Sequence, residues 1–219
     1  TNICRYLSKM KFKFYKFNSS NLNLLNSKLT RQKFKNFNNY TLVIASAVIS
    51  KNLNDKKNAR KNITMIKNII SSIEEKKIKK IIFLSSTDVY GKNNKKRINE
   101  KTTLKPKTEY AKSKIISEKK LYKFCKNIPL IIIRIPGVYG FGDNFNSTVG
   151  HLIKQSYLYK TMLLNNNGQE KRDYIYIDDL CKIIIKLISK QFEGTVNIVS
   201  GKSISIKKIS LSIAKISKI

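Results

Sequence analysis

Residues 78–91 read Ile78-Lys79-Lys80-Ile81-Ile82-Phe83-Leu84-Ser85-Ser86-Thr87-Asp88-Val89-Tyr90-Gly91. The apolar run is short, rich in β-branched and aromatic side chains, and closed by small polar residues and a glycine. That is the pattern of a strand buried on both faces. A second run of this kind, Leu130 to Ile135, lies downstream, and a third, Tyr40 to Ala47, lies upstream. Between the runs the apolar spacing turns helical. Ile63, Ile66, Ile69, Ile70 and Ile73 mark a helix from about 58 to 76, and another is predicted from roughly 108 to 126. Strands alternating with helices predict an α/β fold, a Rossmann-like doubly wound parallel sheet with helices on both faces. In such sheets ligands sit outside the carboxyl ends of the strands. The polar residues that close each strand are therefore the first candidates for function.

The flanks are less regular. Phe12-Lys13-Phe14-Tyr15-Lys16-Phe17 alternates like a half-buried strand and leads to a turn at Asn18-Ser19-Ser20-Asn21. Gly91, Asn93 and Asn94 mark a loop after the central strand. From Gly137 the texture changes. A glycine-rich turn (Gly137, Gly140, Gly142) precedes a helix near 146 to 158, a short strand Thr161 to Leu164, and a polar loop at 165–168. Then come Arg172-Asp173-Tyr174-Ile175-Tyr176, a helix from about 178 to 190, a strand Thr195 to Val199 and a last helix from about 205. Asp178 and Asp179 suit a helix start, where the dipole favours negative charge. The division expected is 1–136 for the sheet domain and 137–219 for a smaller lobe interleaved with the last sheet elements.

The net charge of +32 comes from 45 Lys and Arg against 13 Asp and Glu, and only six of the basic residues are Arg. Nucleic-acid binding would use arginine for bidentate contacts to phosphate and base. Here the excess is lysine spread along the whole chain, with asparagine and isoleucine inflated beside it. All three have A/T-rich codons, so genome composition accounts for the charge and no nucleic-acid partner is expected. No apolar stretch reaches the length of a membrane span, and no membrane role is expected. Cys4, Cys125, Cys181 and a lone His151 have neither zinc spacing nor a disulfide framework, so no metal is expected and a reducing cytoplasm is the simplest setting. With one histidine and no nucleophile-elbow motif, no Ser-His-acid hydrolase can be assembled.

Three pieces carry the chemistry. Ser86 closes the central strand; its bland alternative is a serine capping a turn. Tyr110 and Lys114 are four residues apart and share a helix face. A neighbouring ammonium favours a phenolate and lets tyrosine exchange protons near neutral pH, though in a lysine-rich chain the pair alone is also a solvated helix face. Arg172, ahead of a strand, suits a diphosphate, with a surface ion pair to Asp173 as the alternative.

In this order the pieces resemble the extended short-chain dehydrogenase/reductase family of NAD-dependent, UDP-glucose 4-epimerase-like enzymes, from about Asn18 to the C-terminus. The resemblance implies a partial NAD(P)-binding Rossmann domain over 1–136 and a substrate-binding lobe over 137–219. Ser86, Tyr110 and Lys114 fall on the catalytic Ser-Tyr-Lys set. Ala45, Ser46 and Ala47 fall on a strand end that flanks the dinucleotide, and Asn62 on an asparagine beside it. Pro136 and Val138 fall where the family packs against nicotinamide. Ser86, Gly137 and Arg172 fall on substrate-binding positions, Arg172 on the arginine that grips the diphosphate. The implied cofactor is NAD, with NADP as the alternative. The implied substrate is a nucleotide sugar, and the implied assembly a homodimer through two long helices. The implied activity is that of a nucleotide-sugar epimerase or related oxidoreductase acting by transient hydride transfer.

The sequence departs from the family in several places. No glycine precedes Gly91, so the glycine-rich turn that lets the backbone approach a pyrophosphate is missing. The chain begins with Thr, and the family's first strand and the last part of its sugar lobe are expected to be missing too. Asn18 stands near the family's acidic position. Gly137 replaces a substrate-binding asparagine, and Tyr176 a histidine. Asp88 stands without the adjacent glutamate of sugar 4,6-dehydratases, which argues against elimination and leaves epimerase and ketoreductase open. Two rival readings remain: a cofactor-free relic or binding module of the same fold, and a basic nucleic-acid-binding protein.

Overall fold

A computed structural model of the chain describes residues 2–49, 52–91, 97–143, 145 and 147–218. Asn93 and Asn94 of the expected loop, and Asn146 at the expected start of a helix, lie outside them. The chain runs through α1 (Asn2–Lys9), α2 (Ser27–Phe34), β1 (Tyr40–Ile44), α3 (Lys56–Ile70), β2 (Ile78–Ser86), α4 (Glu109–Phe124) and β3 (Leu130–Ile135). It continues through β4 (Gly137–Tyr139), α5 (Thr148–Tyr159), β5 (Lys171–Arg172), β6 (Tyr174–Tyr176) and α6 (Ile177–Ser189). It closes with β7 (Gly194–Asn197), β8 (Ile204–Ser205) and α7 (Ile206–Ser217). Two units result. One comprises Phe14–Arg134 with Lys186–Asn197; the other comprises Thr1–Lys13, Ile135–Ile185 and Ile198–Ile219.

The first unit is built on a four-stranded sheet in the order β1-β2-β3-β7, with β1 parallel to β2 and β3 parallel to β7. Strands β1, β2 and β3 fall on the three predicted apolar runs, and β7 on the expected late strand. Ile81, Ile82, Ile131, Ile132 and Ile133 are fully buried, as a sheet covered on both faces requires. Ile66 and Ile69 of α3 and Leu121 of α4 pack on one face with Ile44, Phe83 and Ile132. Both helices have a side-chain cap. The Asp55 carboxylate accepts from Lys57 N and Asn58 N at the start of α3, and the Thr108 hydroxyl from Ala111 N at the start of α4. A short 3-10 turn, Thr87–Tyr90, follows β2 and ends on Gly91 at φ 70°. A Cβ there would come within 2.0 Å of the Lys105 carbonyl oxygen, so the turn needs glycine.

Lys80 is the exception inside the apolar run. Its ammonium donates to the carbonyls of Leu187, Ile188 and Lys190 at 2.9, 3.2 and 2.5 Å. It thus caps the C-terminal end of α6, where the helix dipole favours a cation. Burial pulls its pKa down.

Several flanking expectations are corrected. Residues 12–17 form no strand. Phe17 instead joins Phe34, Phe37 and Tyr40 in an aromatic cluster against the core, and Tyr15 stacks edge-on with Phe37 at 4.9 Å. The alternation reports packing of one side of an irregular segment, not a hydrogen-bonded ladder. Helices α1 and α2 are not predicted from the sequence: each is only eight residues long, and although Ile3, Tyr6 and Leu7 of α1 fall at helical spacing, two turns are too short for a period to stand out. The strand expected from Tyr40 to Ala47 stops at Ile44, and that from Thr195 to Val199 stops at Asn197.

The second unit holds two small sheets, β4 beside β6 in parallel and β5 beside β8 antiparallel. Helices α5 and α7 pack through Leu152, Ile206 and Ile209. Thr161 to Leu164 pairs with no strand. Met162 and Leu164 turn onto this small core while Leu163 faces solvent. The first helix is tied in by Arg5 to Asp178 at 2.8 Å and by Asn2 Nδ2 to the Phe141 carbonyl at 2.7 Å.

Candidate functional site

The end of β2 spends three consecutive residues on three different partners. The Leu84 carbonyl accepts from Lys114 Nζ at 2.7 Å. Ser85 Oγ donates to Glu118 Oε1 at 2.5 Å. Ser86 Oγ accepts from Asp88 N at 3.1 Å. A hydroxyl has one donor and two acceptor positions. The bond from Asp88 N uses an acceptor, which leaves the Ser86 O–H proton to be donated elsewhere.

Helix α4 crosses this strand end with Tyr110 in its first turn and Lys114 in its second. The Tyr110 amide donates to the Leu53 carbonyl at 3.0 Å, which fastens the helix start to the loop before α3. Lys114 is buried, its ammonium 4.8 Å from the Phe83 ring centre and 5.7 Å from that of Tyr110. Burial pulls its pKa down to about 8, against the opposing pull of the Glu118 carboxylate. Burial, with the Asp88 charge adding to it, pushes the Tyr110 hydroxyl well above the ordinary tyrosine value. Ionising Tyr110 therefore requires positive charge beyond what the isolated chain supplies.

Asn62 sits in α3, buried, and spends both ends of its amide on one residue. Its Oδ1 accepts from Val48 N at 2.7 Å and its Nδ2 donates to the Val48 carbonyl at 3.0 Å. This double bond pins the segment that leaves β1 through Ala45, Ser46 and Ala47, of which Ala45 and Ser46 are exposed. Asn62→Leu is expected to strand both Val48 backbone groups and to cost about 2–3 kcal/mol in urea unfolding. A loss below about 0.5 kcal/mol would contradict this account of Asn62. Between Asn62 and Tyr110 lies a cavity of about 10 Å³, walled also by Asn52, Leu53, Asp55, Asn58 and Ala59. It admits nothing larger than a water molecule.

The structure brings Ser86, Tyr110 and Lys114 to one strand–helix junction, with Asn62 and the 45–47 segment in the same unit. Pro136, Gly137, Val138 and Arg172 belong to the other unit. There Gly137 pairs with Tyr174, whose ring is so close that a Cβ on residue 137 would come within 2.7 Å of it. Val138 pairs with Ile175. Arg172 is exposed and donates through Nε and Nη2 to Glu170 Oε1 at 3.1 and 2.9 Å. Asp173, the partner expected for Arg172 on the bland reading, instead accepts from the amides of Ser200 and Gly201.

Arg134 heads the run Arg134-Ile135-Pro136-Gly137-Val138-Tyr139-Gly140 that closes β3 and is legible as part of a motif, but its partner Glu118, with which it forms a buried ion pair behind the junction, is not. A signal that some partner is needed was available. An arginine inside an isoleucine strand cannot stay unpaired, and Glu118 stands one turn beyond Lys114. Among the described residues no helix is long and apolar enough to cross a membrane.

Comparison with known proteins agrees with this architecture. The model of the NAD dependent epimerase/dehydratase family matches residues 1–199. The chain is 32% identical over 163 residues to the uncharacterized UDP-glucose epimerase YtcB of Bacillus subtilis, covering 73% of this chain and 51% of that one. The chain spans about half the length of the curated relatives it matches. Among solved structures, UDP-glucose 4-epimerase of Thermotoga maritima with UDP-glucose superposes with a TM-score of 0.87 at 17% identity, over 99% of this chain and 78% of that one. The Thermus thermophilus UDP-glucose 4-epimerase complex with NAD gives 0.85 at 16% identity, over 99% and 79%. At these identities the structures establish the Rossmann fold, and the family match over most of the chain establishes kinship: the protein belongs to the NAD dependent epimerase/dehydratase family.

Proposed function

We propose that the chain carries the proton-transfer set of a nucleotide-sugar epimerase or ketoreductase, with Ser86, Tyr110 and Lys114 as catalytic residues and NAD as cofactor. The observation that carries this reading is the junction itself. Ser86 ends β2 with a hydroxyl proton free to donate, and α4 brings Tyr110 and a buried ammonium against the same strand end.

The residues present fit one end of the dinucleotide. Lys114 has donors to offer a ribose, and the exposed strand-end segment Ala45–Ala47 is open to a flat ring. For the pyrophosphate, residues 1–219 contain no glycine-rich turn. Bound NAD would supply reversible hydride exchange with a sugar carbon and, in its oxidised form, positive charge beside Tyr110. Tyr110 Oη, as phenolate, takes the proton of the hydroxyl on that carbon, and Ser86 donates a hydrogen bond to the same oxygen. The Lys114 ammonium stabilises the phenolate and holds the ribose. Return of the proton from Tyr110 to the keto oxygen would complete an epimerisation; a ketoreductase would use the same proton donation on a keto sugar with NADH as the reductant. Arg172 would pair with the substrate diphosphate in place of Glu170. Gly137, under the Tyr174 ring, leaves no room for a side chain that contacts the sugar.

A homodimer through α3 and α4 accompanies this reading. Their outer faces leave a groove of about 150 Å³, lined by Lys56, Arg60, Ile63, Glu109, Lys112 and Ile116. A cytoplasmic setting accompanies this reading, since the spacing of Cys4, Cys125 and Cys181 suggests no disulfide framework. The second reading, a cofactor-free member of the family, is favoured by one observation, the absence of glycine before Gly91. Calorimetric titration with NAD separates the two. Saturable binding that weakens in Lys114→Met supports the enzyme, and no binding at millimolar NAD supports the cofactor-free protein.

A further inference from the structure

Glu118 takes no part in the proposed chemistry, yet its carboxylate is saturated with bonds and only 3% of the residue is exposed. Arg134 grips both oxygens, Nε donating to Oε1 at 3.1 Å and Nη2 to Oε2 at 2.7 Å. Ser85 Oγ adds a third bond. Arg134 Nη1 then donates to the Tyr90 hydroxyl at 2.9 Å, and Tyr90 donates to Asn197 Oδ1 at 2.8 Å. One network thus fastens α4 to the end of β2, to the 3-10 turn after it, to β3 and to β7. Its members are neighbours of the candidate catalytic residues. Ser85 precedes Ser86, Tyr90 ends the turn that Ser86 caps, and Glu118 stands one turn beyond Lys114.

A buried ion pair is a poor source of stability, because desolvation offsets most of the attraction and an apolar pair of like volume does as well. Stability alone does not explain this pair. We propose that Glu118 and Arg134 are positioning residues. They lock the end of β2, which carries Ser86, against α4, which carries Tyr110 and Lys114, and Arg134 offsets the Glu118 charge one turn from the Lys114 ammonium. The inference rests on the function proposed above. The other ionisable groups nearby are Tyr110 on the same helix, Tyr90 on the turn, and Asp88 on the turn, which acts on Tyr110. From α3, Lys56 and Arg60 line the outer groove with Glu109 and Lys112.

Two measurements on the full chain test it. The triple variant Ser85→Ala/Glu118→Leu/Arg134→Met removes the network without stranding a charge. It is expected to resist urea as well as the parent chain, while kcat falls about 10- to 100-fold, as misplacement of catalytic groups does, with KM changed less than about threefold. Recovery of both stability and kcat would make the pair merely structural and overturn the proposal. Independently of turnover, the Lys114 ammonium signal in side-chain 1H–15N spectra, assigned by its loss in Lys114→Met, reports the charge. Its titration midpoint is expected to fall in Glu118→Gln, where Arg134 stands uncompensated, and to rise in Arg134→Met, where Glu118 does. A midpoint that moves in neither variant overturns the proposal even if turnover is normal. Midpoints that move as expected in a chain without turnover uphold the proposed charge balance and instead count against the proposed activity.

Discussion

Tyr110→Phe is expected to lower nucleotide-sugar turnover by about 10²- to 10⁴-fold, the range lost when a general acid–base group is removed. The loss is expected in kcat, with KM for the sugar nearly unchanged, because phenylalanine keeps the ring and its packing. The tyrosine hydroxyl is held in its protonated form by burial and by Asp88, so the isolated chain stores the proton it must later exchange. Positive charge arriving with the oxidised cofactor reverses that balance. Thermal unfolding of the variant is expected to match the parent within a few degrees. A variant that keeps a tenth or more of its turnover contradicts the assignment of Tyr110.

Lys114→Met is expected to abolish turnover and to change the pH dependence of stability in the opposite sense from most lysine substitutions. The folded chain holds the Lys114 pKa at about 8, against 10.5 for an ordinary lysine. Between those values the unfolded chain binds more protons than the folded one, so stability rises with pH across that window. Below about pH 8 the charge is buried at a net cost of about 3 kcal/mol, after the Glu118 carboxylate has offset part of the desolvation. Cys125 and Cys181, whose thiols burial pushes up to about 11, pull stability the other way as pH rises, but equally in both chains. Urea unfolding from pH 7.5 to 10 is therefore expected to show a more positive slope of stability against pH in the parent chain than in the Met variant. Activity that needs the ammonium falls over the same window, so turnover and the Lys114 contribution to stability are expected to diverge as pH passes about 8. Equal slopes in the parent and the variant would refute the buried charge.

The centre of the sheet was legible because β2 and β3 are isoleucine-rich apolar runs. Ile81–Ile82 and Ile131–Ile133 have no plausible place other than a covered parallel sheet. The spacing of Ser86, Tyr110 and Lys114 was legible for a related reason: a strand end and a helix start are fixed by the period of the side chains around them. The first 40 residues were not legible. There Phe17 packs on Phe34 and Phe37, across the turn and the second helix, and a local period cannot report a packing partner that far along the chain. The stretch 161–164 misled similarly, since alternation predicts a buried side but not a neighbouring strand. The Glu118–Arg134 pair lay in plain view as a charge within an apolar run, but its partner is chosen by tertiary structure. Arg172 shows the reverse, a residue whose place in a motif was readable while its pairing with Glu170 was not.

The most direct test of the central claim is conversion of a nucleotide sugar by the 219-residue chain with NAD in excess, followed by proton NMR of the sugar, beside Tyr110→Phe. The account predicts that the parent chain inverts a sugar carbon with NAD, or reduces a keto sugar when NADH replaces NAD, and that the phenylalanine variant does neither. No conversion by the parent chain, or conversion that survives in the variant, would contradict it.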